Sequence, residues 1–147
     1  MQIVQATLAD LSVVADLFDQ YRQWYRCDAD LNGAEQYLRA RMSQSESVIF
    51  LAKDKQGAGM GFTQLYPIFS SINMKRMWLL NDLFVAEEAR KQGVGQGLLT
   101  AAQGHAQQTG AHSLMLETEV SNQPAQKLYE GMGWVRADGF YMYHFNV

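Results

Sequence analysis

One cysteine, Cys27, stands in 147 residues. An internal disulfide is therefore excluded, and so is a metal site built from a cysteine cluster. Three histidines, His105, His112 and His144, are scattered without metal-ligand spacing and without a Ser or Cys partner in a recognisable motif. Only two prolines occur, and there is no internal repeat, low-complexity tract or linker. No apolar run approaches the roughly 20 residues needed to span a bilayer. No N-terminal apolar core with a cleavage site is present either, so the expected location is cytoplasmic and no membrane partner is expected. Positive charge is also scarce. The net charge of −3 gives no basic face for nucleic acid.

What is abundant is apolar residue, 48% of the chain. That suffices for one domain over residues 1–147 with a sizeable core. The most informative stretch runs from Trp78 to Leu99, WLLNDLFVAEEARKQGVGQGLL. Trp78–Val85 is a short apolar run broken by Asn81-Asp82, the pattern of a central strand buried on both faces. After the polar AEEAR segment, apolar residues at Val94, Leu98, Leu99, Ala102 and Ala106 follow helical spacing. Between strand and helix lie Arg90, Lys91, Gln92, Gly93, Val94, Gly95, Gln96 and Gly97. Three glycines at a helix start expose N–H groups at the positive end of the helix dipole, and Arg90 and Lys91 add charge. Each glycine costs about 1 kcal/mol against alanine in a helix, a cost that a bound anion would offset.

A P-loop would need Gly-Lys-Ser/Thr, which is missing, and a dinucleotide fingerprint would need a glycine where Leu98 stands. The R-x-x-G-x-G spacing of Arg90, Gly93 and Gly95 resembles the pyrophosphate-binding loop of the GNAT superfamily of acetyl-CoA-dependent N-acetyltransferases. A second segment, Asn122-Gln-Pro-Ala125-Gln-Lys-Leu128-Tyr129-Glu-Gly-Met-Gly133-Trp134, resembles that superfamily's N-x-x-A-x-x-L-Y-x-x-x-G-[FW]. The resemblance is specific from Leu79 to Trp134 and weaker towards the N-terminus. It implies a mixed α/β (α+β) fold, with a mostly antiparallel central sheet, one splayed parallel strand pair and helices on both faces.

Pattern alone places the remaining elements. Ile3–Ala6 reads as a strand, and Thr7-Leu-Ala-Asp10 resembles a capping box before a helix through Tyr21 towards Tyr25. Asn32-Gly33 punctuates before a second helix carrying Tyr37, Leu38 and Met42. Ser47–Lys53 and Met60–Tyr66 form a hairpin, with Pro67 ending or bending the return strand. Ser113–Glu117 is a further strand, and Asn122 or Ser121 caps the motif helix. Trp134-Val135 and Phe140–Phe145 are expected to close the fold as a hairpin.

The resemblance also implies roles. The pantetheine arm of acetyl-CoA would lie along Leu83, Phe84 and Val85, and the pyrophosphate would take N–H groups from Gln92 to Gly97, with Asn122 touching the arm. Asn122, Ala125 and Tyr129 share one helical face by spacing. A phenol of ordinary pKa about 10 is protonated at neutral pH and can donate to a departing thiolate, which makes Tyr129 the candidate acid. An amine of pKa about 10.4 must lose a proton before attack. The polyamine-acetylating branch carries Leu-Glu-Asp where this chain has Leu80-Asn81-Asp82, so its glutamate base has no counterpart. Asp82 is the favoured base, with Glu117 and Glu119 as alternatives. Trp24 and Tyr25 are expected on the acceptor wall beside Asn81, although an aromatic cluster on a helix is as readily packing. Acidic Asp19, Asp28, Asp30 and Glu35 would favour a cation there.

The expected activity is transfer of an acetyl group from acetyl-CoA to a primary amine, of polyamine or lysine-like type, by direct attack in a ternary complex. No metal is required. A CoA-binding module without turnover and a purely structural subunit are the competing readings. The aromatic terminal segment 139–147 carries no Lys or Pro to protect a strand edge, which predicts a homodimer.

Overall fold

Five strands form one sheet in chain order, and all but the last pair are antiparallel. They are β1 (Gln2–Gln5), β2 (Val48–Lys53), β3 (Gly59–Ser70), β4 (Lys75–Val85) and β5 (Leu114–Met115). Four helices accompany them: α1 (Leu11–Trp24), α2 (Leu31–Ser43), α3 (Val94–Gln108) and α4 (Gln123–Gly131). The computed structural model describes residues 1–147, which divide into two compact units, Met1–Glu117 and Thr118–Val147.

In the first unit, helices cover both faces of the sheet. Phe18 and Tyr21 of α1 pack edge-on against Phe62 of β3, with ring centres 6.1 and 6.0 Å apart. From the opposite face, His105 of α3 meets Trp78 of β4 and Phe50 of β2 at 4.8 and 5.6 Å. The core joins Leu11, Val14 and Leu38 of α1 and α2 to Leu51, Phe62 and Leu98. Burial of each such side chain contributes roughly 1.5–3 kcal/mol.

Local chemistry accounts for the helix starts. Asp10 accepts the Thr7 N–H at 3.0 Å while Thr7 Oγ1 accepts from Ala9, so the expected box forms around a short 3-10 turn that leads into α1. Asn32-Gly33 does not punctuate. Both residues lie inside α2, because Asp30 caps it by accepting the Gly33 N–H at 2.9 Å. Gly33 must lack a side chain there, since a Cβ would fall 2.2 Å from the capping carboxylate. Pro67 does not end β3 either: it pairs with Trp78 inside a strand that continues to Ser70. The ladder to β2 stops at Leu65, so Pro67 faces an open edge where a missing N–H costs nothing.

The decisive irregularity is in β4. Gln64 pairs with Asp82 and Leu65 with Leu80, so Asn81 is one residue more than β3 can match. This β-bulge reverses which face the following side chains address. Before it, Trp78 meets α3; after it, Phe84 packs on Tyr21 of α1 at 6.2 Å. Without the extra residue, Asp82 would follow the parity of Trp78 onto the α3 face.

The second unit differs from expectation. It holds α4, with no strand in either predicted arm of the closing hairpin, and Phe140, Tyr141, Tyr143 and Phe145 are about nine-tenths exposed. The fifth strand is shorter than its pattern, two residues rather than five.

Candidate active site

Asp82 is a buried carboxylate of the first unit. It is 4% exposed. Gln64 Nε2 donates to its Oδ2 at 2.7 Å, and Asn81 Nδ2 donates to its Oδ1 at 3.1 Å. Beside the bulge, the buried Thr63 hydroxyl donates to the Asp82 carbonyl at 2.8 Å. Burial holds the Asp82 carboxyl above the ordinary 3.8, opposed by hydrogen bonds from Gln64, Tyr21 and Asn81. Such a group is a proton acceptor in a partly dry setting.

Asp82 and Asn81 line a cleft of about 350 Å³. One wall is Phe18, Tyr21 and Arg22 of α1, spaced three and four apart so that they share a face. The other is Asp30, Gly33, Ala34 and Tyr37, at and after the start of α2, with Tyr66 from β3. The Tyr37 and Tyr66 hydroxyls lie 2.8 Å apart, and the Tyr37 ring stacks on Phe18 at 5.8 Å. Burial first, then the bond to Tyr37 and the nearby Asp82, raises the Tyr66 phenol well above its usual range, which keeps it neutral. Arg22 pairs with Asp19 at 3.0 Å, so the remaining charge of the cleft is acidic.

A second feature runs along the far side of β4. Its parallel pairing with β5 consists of Trp78 with Leu114 and Leu79 with Met115. Beyond that point Leu83, Phe84 and Val85 pair only with β3, and their other edge has no strand neighbour. The strand then leads to the glycine loop. Gly93 adopts a left-handed φ of +79° and Lys91 one of +60°, turning the chain into α3. The first hydrogen bond of α3 runs from Gly97 N–H to Gly93 C=O at 3.0 Å, so the N–H groups of Val94, Gly95 and Gln96 precede it. No side chain caps this helix start. Arg90 donates to the Val85 carbonyl at 3.2 Å and lays its guanidinium over Trp24 at 4.8 Å. Gln92 donates to the Glu88 carbonyl at 3.0 Å, bracing the loop from below.

The structure thus brings Asp82 and Asn81 together at the cleft and lays the loop residues 90–97 in series with the open strand edge. Trp24 and Tyr25 stand at the end of α1, more than half exposed, and do not line the cleft; Tyr25 packs on Tyr21, which does. A Cβ at Gly97 would lie 2.6 Å from Ile3 Cδ1 of β1, the far end of a side chain that can move aside. Glu117 and Glu119 are exposed, unlike Asp82. In the second unit, the Asn122 carbonyl oxygen caps α4 through the Ala125 N–H at 3.3 Å, leaving its amide N–H groups for other contacts. Tyr129 packs its ring near Trp134 at 6.1 Å. Sequence reasoning missed Phe18, Tyr21, Tyr37 and Tyr66 as one wall. Their spacing marks only helix and strand positions, and the bulge reveals which face they share with Asp82.

A mixed sheet that splays between two parallel strands, followed by an uncapped glycine-rich helix start, is the architecture of an acyltransferase. The model of the acetyltransferase (GNAT) family matches residues 12–134, and the chain belongs to this family, which uses acetyl-CoA. It is 50% identical over 147 residues to the uncharacterized N-acetyltransferase YhfO of Bacillus subtilis (strain 168), covering all of this chain and 98% of that one. It is 31% identical over 117 residues to a "probable acetyltransferase" of Haemophilus influenzae (strain ATCC 51907 / DSM 11121 / KW20 / Rd), covering 80% of each. A crystal structure of a "probable acetyltransferase" superposes with a TM-score of 0.95 at 42% identity, over all of this chain and 98% of the other.

Proposed function

We propose that the chain moves the acetyl group of acetyl-CoA to a small cationic primary amine, by direct attack within a ternary complex. The observation that carries this reading is Asp82, buried beside an aromatic, acidic cleft and held by Gln64 and Asn81. An incoming alkylammonium meets the rings of Phe18, Tyr21, Tyr37 and Tyr66, each such contact stabilising a cation by about 0.5–2 kcal/mol. Asp82 takes its proton, directly or through one water, and the neutral amine can then attack. Polyamines and lysine-like side chains fit that description, as does a simple alkylamine.

Two features of the chain suit acetyl-CoA, which supplies its acetyl group as a thioester. The free edge at Leu83, Phe84 and Val85 offers backbone groups to an extended amide arm. The N–H groups of Val94, Gly95 and Gln96, with Arg90 and Lys91 nearby, suit a pyrophosphate. In this reading Tyr129 donates the proton that the departing thiolate requires, and Asn122 contacts the arm through its free amide.

Gly95→Asp separates binding from folding. A carboxylate in the first turn of a helix is neutral to mildly stabilising for the fold, by up to about 1 kcal/mol. The same charge repels pyrophosphate, so acetyl-CoA affinity should fall at least tenfold while the melting temperature holds. Calorimetric titration checks this, and unchanged affinity would remove the anion-cradle role.

The function itself is tested by measuring CoA release with a panel of alkylamines, polyamines, amino acids and lysine peptides. Turnover should concentrate in acceptors with a cationic amine on an apolar stem. Tight acetyl-CoA binding with no turnover across the panel would instead support a binding module.

A further inference from the structure

We propose that Gln64 is a positioning residue for the proton transfer: its side-chain amide holds the ionised Asp82 carboxylate through Nε2 and, by a half-turn, receives the protonated acid through Oε1. The inference rests on Asp82 being the proton acceptor proposed above. Gln64 stands across the ladder from Asp82, on β3, and is fully buried. Its Nε2 donates to Asp82 Oδ2 at 2.7 Å, a shorter bond than the one from Asn81 at 3.1 Å. Oε1 of the same amide is buried and has no partner. An unmet acceptor in the core weighs against folding, and an apolar side chain of similar size would avoid it. Packing therefore does not account for a glutamine here.

Proton transfer supplies the missing donor. An ionised carboxylate only accepts hydrogen bonds, whereas a carboxylic acid carries an O–H that donates. Once the amine's proton sits on Oδ2, that O–H and the Nε2–H of Gln64 would point at each other. Rotation of the amide about its last side-chain bond, a soft torsion, exchanges Nε2 for Oε1 without moving the backbone. The acid then donates to Oε1. The Asn81 bond reaches the other oxygen, Oδ1, which accepts throughout. Burial raises the Asp82 pKa above the ordinary 3.8, and the bond from Gln64 is first among the influences that lower it, ahead of Tyr21 and Asn81. The other titratable or charged groups of the cleft are Tyr21 and Arg22 of α1, Asp30 and Tyr37 at and after the start of α2, and Tyr66 of β3. Arg22 is held by Asp19, Asp30 by the Gly33 N–H, and the two hydroxyls of Tyr37 and Tyr66 by each other. Tyr21 bonds Asp82 from the α1 side, and Gln64 holds it from the sheet.

Gln64→Met keeps the length of the side chain and removes both poles of the amide. In this variant the acid limb of kcat/KM should move to higher pH by about one unit, roughly a tenfold loss on the acid side that is recovered above the limb. A side chain that only packs would instead lower the rate equally at every pH. The unaltered protein gives a second readout that does not depend on how the variant folds. Its Gln64 side-chain NH₂ signals, followed by NMR, should shift with the same midpoint as the acid limb, and that shift should vanish in Asp82→Asn. An acid limb that stays in place in folded Gln64→Met, or Gln64 signals that stay flat across the limb, would overturn the inference while leaving Asp82 as the base. Near-parental turnover in Asp82→Asn would remove the base itself, and the inference with it.

Discussion

Asp82→Asn is expected to lower kcat/KM by about 10²- to 10⁴-fold, the range for loss of a positioned proton acceptor. Acetyl-CoA affinity should stay within a factor of about two. Asparagine preserves size, and the buried Gln64 Oε1, which has no partner now, can accept from the new amide after a small rearrangement. The effect on stability has the opposite sign. Burial raises the folded-state pKa of Asp82 above its ordinary 3.8. A group of that kind contributes stability that is fully present below its unfolded pKa and is lost as pH rises through the folded pKa. At neutral pH the ionised carboxylate therefore weighs against the fold, and the asparagine variant should be at least as stable as the parent. Reduced turnover with an unchanged or higher melting temperature separates a catalytic role from a structural one. Near-parental turnover would remove Asp82 as the base.

The pH dependence gives a second reading of the same group. In the parent, kcat/KM should rise through an acid limb displaced above the ordinary aspartate range, because Asp82 must be ionised to accept a proton. Because the cleft receives the acceptor as an ammonium, kcat/KM should level off and then fall as the free amine loses its charge at about pH 10.4. The Asn variant should lose the acid limb and depend instead on free neutral amine, rising towards alkaline pH.

The sequence carried the glycine-rich loop and the motif helix openly, because both depend on short-range spacing. Arg90, Gly93 and Gly95 lie within six residues, and Asn122 to Trp134 within thirteen. The sheet order and the splay beside β4 agree with what the resemblance implied. The cleft beside Asp82 was less legible. Its walls come from α1, α2, β3 and β4, and Tyr37 and Tyr66 read locally only as members of a helix and a strand. The bulge at Asn81 left no mark in composition, since a strand with one extra residue looks the same as one without. Yet it decides that Asp82 faces Tyr21 instead of α3. Asn32-Gly33 misled for a related reason: the dipeptide suggests a turn, and the carboxylate of Asp30, two residues earlier, converts it into the first turn of a helix. The terminal segment was patterned as a strand, but a pattern does not say which neighbour completes it.

Tyr129→Phe is the second substitution with a large expected effect, about 10²- to 10⁴-fold in kcat, with acetyl-CoA affinity changed much less. The substitution keeps the ring and its packing near Trp134 and removes only the hydroxyl. If that hydroxyl protonates the leaving thiolate, the loss must depend on the leaving group. An acetyl thioester of a more acidic thiol needs less help from an acid, so the ratio of parental to variant rate should shrink with it. Packing alone predicts the same ratio for both thioesters, since the ring contributes equally whichever thiol departs. Full activity in the Phe variant, or a loss independent of the thiol, would make Tyr129 a packing residue of α4 and leave solvent as the proton donor.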